Sequence, residues 1–238
     1  MSQGQVSQGQ VKQGQVNQGG IREPGAQEDT RKIMKRFRNM GQAASVLLLF
    51  FCAQLSTAQE AHETIVAIRH AEKPPDGLGQ LSCKGLNRAL ALPSVLTQRY
   101  GKPDEIYAPN PTPRILDGLH LYFYVRPLTT IEPTAISLGM PVNTKVGYNQ
   151  IKTLRTELTA GSNKSKLIFM AWEHAELNDF AKLMMRSYGK DASAVPKWED
   201  DDYDRIYVFR IDESHGKPSL TFQVDQEGLN GSLKETCP

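Results

Sequence analysis

Thr64-Ile65-Val66-Ala67-Ile68-Arg69-His70-Ala71-Glu72-Lys73 is the stretch from which the rest of the chain can be read. Its first five residues are small or β-branched and uncharged, the pattern of a short strand buried on both faces of a parallel sheet. The run stops at Arg-His-Ala-Glu-Lys, and Pro74, Pro75 and Gly77 cannot continue a strand. Polar groups at the carboxyl end of a central strand stand where open α/β sheets bind their ligands. A histidine there, beside a guanidinium, is a candidate nucleophile in a site suited to an anion. The competing reading is a strand that simply ends in solvated charge, so the context decides.

With 238 residues and ordinary apolar and charged fractions, the chain is long enough for one substantial domain with appendages. The formal net charge is +2, and no basic block or aromatic-basic interleaving suggests nucleic acid. Gln-Gly-Gln-Val recurs at Gln3, Gln8 and Gln13, so residues 1–33 form a low-complexity extension unable to build a core, or a start called too early. Lys35-Arg36-Phe37-Arg38, the apolar run from Ala43 to Leu55, and Ser56-Thr57-Ala58 then compose a secretory signal over residues 34–58. The apolar run is too short to be read as a membrane span. The expectation is export to the periplasm or medium with cleavage after Ala58, leaving residues 59–238 as the domain with no membrane attachment. That region holds Cys83 and Cys237, which an oxidising compartment would allow to pair. Their spacing shows no zinc pattern.

Downstream, Ser82 reads as the N-cap of a helix running to Tyr100, where Gly101 supplies the stop. Pro93 is expected to kink or divide it. Gly85, costly inside a helix, implies close packing. Asp104 to Ala108 reads as a second strand, followed by a Pro- and Asn-rich loop to about Gly118. Pro127 marks the first turn of a helix ending at Leu138, which puts Arg126 where backbone amides already favour an anion. An amphipathic pattern covers Tyr148 to Leu158. Leu167 to Trp172 is a third buried strand, ending in Glu173-His174-Ala175-Glu176 before a helix from about Leu177 to Tyr188. Asp200 to Asp202 reads as an acidic solvated loop without chemistry. Arg205 to Ile211 and Leu220 to Val224 read as a closing hairpin at a sheet edge. Helices alternating with parallel-type strands predict a three-layer α/β/α sandwich around a mainly parallel sheet.

Two strands thus end in a histidine beside a carboxylate. Metal ligation is one reading of such groups, but the neighbouring arginines would repel a cation and suit a phosphoryl group instead. On these residues the chain resembles the histidine phosphatase superfamily, the phosphoglycerate mutase-like fold, in the branch with the short helical insert. Arg69-His70-Ala71-Glu72 resembles that family's Arg-His-Gly signature, with Ala71 in place of the Gly. Leu81-Ser82 through Gly85 to Arg88-Ala89 resembles its Leu-Thr-x-x-Gly-x-x-Arg-Ala segment. Arg126 through Thr130, Pro133, Ala135 and Leu138-Gly139-Met140-Pro141-Val142 resembles its Arg-containing helix and Leu-Gly-Leu-Pro end. His174, after an apolar strand, resembles its second histidine. The matches span nearly all of Glu63 to Ile211 and keep their order.

The resemblance implies a phosphoric monoester hydrolase in which His70 takes the phosphoryl group while Arg69, Arg126 and His174 surround it. It implies no cofactor or metal, and a small phosphorylated substrate. Two departures leave choices open. A long stretch separates Ala108 from Arg126, so Arg114 competes for the pocket position, although only Arg126 has the Thr-x-x-Pro continuation. The proton donor is assigned narrowly to Glu173, with Glu176 as its rival because His174-Ala175-Glu176 resembles the His-Ala-Glu tripeptide of the phytase-like branch. Strand alternation would point Glu173 away from the face His174 uses. The functional alternatives are an anion-binding protein with weak or no turnover and a phosphoglycerate-type mutase.

Overall fold

The computed structural model describes residues 62–213 and 216–238. The Gln-Gly repeat, the signal sequence and its cleavage point lie outside the described residues.

β1 (His62–Arg69) is the middle strand of a five-stranded sheet. α1 (Cys83–Tyr100), β2 (Glu105–Tyr107), the hairpin β3 (Arg114–Asp117) and β4 (His120–Phe123), α2 (Arg126–Leu138) and α3 (Ile151–Leu158) follow. The chain closes with β5 (Leu167–Trp172), α4 (His174–Ser187), β6 (Arg205–Asp212) and β7 (Ser219–Gln226). Strand order is β2-β5-β1-β6-β7. β1, β5 and β2 run parallel, whereas β6 and β7 join antiparallel as the closing hairpin expected at the edge.

Alternation along the central strands supplies a core on each face. Ile65 and Ala67 of β1, with Ile168, Met170 and Trp172 of β5, pack against Leu154 and Leu158 of α3 and Leu177, Phe180 and Met184 of α4. Val66 and Ile68, with Phe169 and Ala171, pack against Leu92 and Leu96 of α1 and Ile131 and Ala135 of α2. The result is the expected three-layer sandwich, with parallel strands at its centre.

Of the two outcomes expected at Pro93, division does not occur: α1 is one helix of 18 residues. Leu92 and Leu96, both fully buried on either side of the proline, bind the two halves to the same core, which offsets the lost backbone hydrogen bond. The stretch to Gly118, read as loop, begins a two-stranded hairpin with Leu116 opposite Leu121 and Asp117 opposite His120. Alternation was hidden there because Leu116, Leu121 and Phe123 are exposed and only Asp117 is buried. α4 starts at His174, three residues before the expected Leu177, because the side chain of Glu173 accepts from Glu176 N–H and caps it.

The expected caps of α1 are present. Ser82 Oγ accepts from Gly85 N at 3.1 Å, and Gly101 ends the helix at φ +89°. Gly85 lies against backbone: a Cβ there would stand 2.3 Å from the Glu72 carbonyl oxygen. Ser82 N donates to that oxygen at 2.8 Å, so α1 is seated directly on the segment leaving β1. Arg88, fully buried on α1, locks the seat. It contacts Glu72 at 2.8 Å, Asp204 at 3.2 Å and Glu227 at 2.5 Å. The C-terminal segment then crosses to α1 and is fastened by a Cys83–Cys237 disulfide.

Candidate active site

Register brings the two polar clusters together. Arg69 is the parallel partner of Trp172, and His70 N donates to Trp172 O at 2.8 Å. The residues after β1 and those after β5 therefore emerge side by side. β6 runs antiparallel to β1, with Ile206 opposite Ile68, so the segment entering β6 arrives at the same edge. The first residue of α2, Arg126, completes the cluster. Thr130, one turn along α2, accepts from Ala71 N at 2.9 Å and donates to Arg126 O at 2.8 Å. This hydroxyl couples the loop carrying His70 to the helix carrying Arg126.

His70 is 3% exposed, and its Nδ1 is 2.8 Å from the Ala71 carbonyl oxygen. A carbonyl can only accept, so Nδ1 carries the hydrogen and Nε2 keeps its lone pair. Burial, reinforced by Arg126 and Arg69 and opposed by the Ala71 hydrogen bond, lowers the imidazole pKa to about 3. At neutral pH His70 is therefore uncharged, with its lone pair on Nε2.

Around it stand donors lacking acceptors. Arg69 stacks on Tyr203, 3.9 Å from the ring centroid. Its Nη1 donates to the carbonyls of Glu199, Asp200 and Asp202 at 3.3, 2.8 and 3.1 Å. Arg126 pairs with Asp117 of the hairpin through Nη1. The Nε atoms of both arginines are buried with no hydrogen-bond partner among the described residues. Arg114, the rival for this position, is exposed on the hairpin, where it donates to Leu121 O at 2.9 Å.

His174 sits between two carboxylates, with Nδ1 2.5 Å from Glu173 and Nε2 2.8 Å from Asp200. Asp200 is almost wholly exposed, its side chain at 97%. The acidic loop, expected to have no chemistry, thus touches both His174 and Arg69. It reads as bland because its contacts are made by backbone carbonyls and one exposed carboxylate, which leave no pattern in sequence.

The two candidate proton donors are shifted in opposite directions. As the N-cap, Glu173 leaves the strand alternation and interacts electrostatically with Arg69, His70 and Tyr124, so its carboxylate belongs to the site. Burial raises its pKa, but the close contact with His174 and the Glu176 N–H outweigh that and leave it at about 2. Glu176 is shifted upward by burial, Glu173 and Asp179. Tyr124, which carries no motif, completes the setting: its ring meets His70 edge-on at 6.3 Å. Its position beside Arg126 in sequence, at the end of an aromatic run, was the only signal available.

No protein-family model matches the chain, and no curated protein matches it. Among solved structures, the chain is similar to a mycobacterial glucosyl-3-phosphoglycerate phosphatase in complex with inorganic phosphate. The two share 12% identity over 69% of this chain and 97% of that one, with a TM-score of 0.47. It is also similar to a phosphoserine phosphatase variant from Entamoeba histolytica in complex with phosphoserine. That match has 16% identity over 69% of this chain and 98% of that one, with a TM-score of 0.44.

Proposed function

We propose that the protein hydrolyses phosphomonoesters through a phosphohistidine formed on His70 Nε2. The observation that carries this reading is the neutral, buried imidazole whose Nδ1–H is committed to the Ala71 carbonyl, set among arginine Nε donors without acceptors. In the first step Nε2 attacks phosphorus while the bond to the ester oxygen breaks, and that oxygen leaves with the electron pair. In the second, water attacks phosphorus, the P–N bond breaks, and His70 is restored. Phosphoryl transfer depends mainly on positioning and on neutralising oxygen charge. Arg69 and Arg126 supply that through Nε. His174 joins them when a phosphoryl oxygen takes the place of the exposed Asp200 carboxylate, one anion exchanging for another.

The leaving alkoxide needs a proton, which contributes about 10²–10⁴-fold. Resting Glu173 is ionised, held so chiefly by His174. A phosphoryl group that replaces Asp200 at Nε2 leaves the Nδ1 contact with Glu173 in place, but its negative charge raises the Glu173 pKa, which suits Glu173 to shuttle the proton between leaving group and attacking water. Glu176 remains its rival. Glu173→Gln should then fail on alkyl phosphates while keeping much of its activity on p-nitrophenyl phosphate, whose leaving group needs little protonation. The same split in Glu176→Gln, with Glu173→Gln normal on both, transfers the role to Glu176.

The decisive experiment is on His70. Quenched turnover should leave acid-labile, base-stable phosphate on this residue, and His70→Ala should lose essentially all activity, because the covalent pathway is deleted. Turnover that survives in His70→Ala would refute the mechanism. The reading extends to an exported enzyme, supported by the signal-like stretch before Ala58 and by a disulfide of the kind that persists in oxidising compartments. Recovery of the protein from an extracytoplasmic fraction with the Gln-Gly repeat still attached would refute that part.

A further inference from the structure

Tyr124 lies between the hairpin and α2, and its side chain is wholly enclosed. Besides the edge-on contact with His70, Tyr148 packs against its ring at 5.3 Å and the Arg126 guanidinium stands 5.2 Å from its centroid. In this enclosure the hydroxyl has no hydrogen-bond partner among the described residues. A buried polar group left unpaired destabilises the fold, and native proteins retain few of them. Phenylalanine would fill the same space without that cost. The hydroxyl is thus a donor kept at the expense of stability, and it belongs to the same cluster as the two unpaired arginine Nε atoms. Burial, with the negative charge of Glu173 adding to it, pushes its pKa well above the ordinary value, so it keeps its proton throughout the working range. Three unpaired donors, on a residue in ring contact with His70 and on two arginines that act on it electrostatically, lack a ligand that only accepts, which is the character of a phosphoryl group.

We infer that the Tyr124 hydroxyl donates a hydrogen bond to a non-bridging oxygen of the phosphoryl group transferred to His70, as a neutral third donor beside Arg69 and Arg126. The inference rests on the phosphatase reading and adds to it a residue that binds the reacting group itself. A donor to a non-bridging oxygen acts alike whatever alcohol departs, which separates it from the proton-transfer role of the glutamates.

The test is Tyr124→Phe, which keeps the ring and removes one oxygen. With p-nitrophenyl phosphate and an alkyl phosphate, kcat/KM should fall by a similar factor, on the order of 10²-fold. Inhibition by orthovanadate should weaken with it. The thermal midpoint without ligand should stay level or rise, because the variant loses only an unpaired hydroxyl. Activity and vanadate inhibition within about twofold of wild type overturn the inference, and so does a lowered midpoint with turnover per folded molecule unchanged, the signature of a structural hydroxyl. Failure of the underlying reading looks different: wild-type protein would then hydrolyse neither ester and bind no orthovanadate by calorimetry. If instead wild type forms phosphohistidine and Tyr124→Phe matches it, Tyr124 alone is wrongly assigned.

Discussion

Gly85→Ala should damage the active site from the far side of its loop. In an ordinary helix interior this substitution stabilises by about 1 kcal/mol, because alanine loses less conformational freedom. Here the added Cβ would lie 2.3 Å from the Glu72 carbonyl oxygen and 2.9 Å from its nitrogen, whereas ordinary contact begins near 3.4 Å. Relieving the closer overlap requires a shift of 3.4 − 2.3 = 1.1 Å between α1 and the loop. Both atoms are backbone, so no side chain can rotate away. The shift loosens the Ser82–Glu72 backbone bond and the Arg88–Glu72 pair. Overpacking of this kind costs roughly 1–3 kcal/mol, which against the propensity gain leaves a net loss of about 0–2 kcal/mol. The larger effect falls on catalysis. Glu72 is two residues from His70, and a misplacement of about 1 Å can cost about 10²-fold in rate. Denaturant melts and kcat/KM measured on the same preparation check both figures. A variant that is more stable than wild type with unchanged kcat/KM would refute the claim that Gly85 is required by the seating of α1.

Further outcomes follow from the same contacts. Arg126→Ala should lower kcat/KM by roughly 10²–10³-fold as a charge-stabilising donor is lost, while Arg114→Ala, on the exposed hairpin, should stay near wild type; the reverse order in a parallel assay would move the pocket arginine to Arg114. Glu63, 5% exposed on β1, has its pKa raised by burial and by Glu213 from 4.5 to about 8. The folded protein therefore holds a proton that the unfolded chain has lost between those values, and this contribution to stability is full below 4.5 and vanishes as pH rises through about 8. Glu63→Gln should flatten the decline, and urea melts at pH 5 and 9 that show the same slope for both proteins would contradict it. The Cys83–Cys237 disulfide closes a loop with a sequence separation of 154, for which the chain-entropy model gives about 5 kcal/mol. A reductant should lower the unfolding midpoint substantially, and a Cys83→Ser variant should already show the lowered value and no further response.

The strands of the five-stranded sheet, the principal helices and the candidate nucleophile could be read from local pattern. β1 and β5 are apolar runs, each cut off by a polar cluster, and Ser82 and Gly101 bound α1 as their cap chemistry predicts. Such signals lie within a few residues of the position they describe. The pocket itself is a matter of register and packing between segments far apart in sequence. Arg69 beside Trp172 sets the residues after β1 next to those after β5. The antiparallel return of β6 delivers the Asp200 loop, and the hairpin delivers Asp117 to Arg126. The ionised state of Glu173 and the unpaired hydroxyl of Tyr124 likewise depend on burial and on neighbours that no window of sequence contains. Residue types decided what chemistry was available, and only the tertiary arrangement decided which groups face one another, because desolvation and charge pairing act through space rather than along the chain.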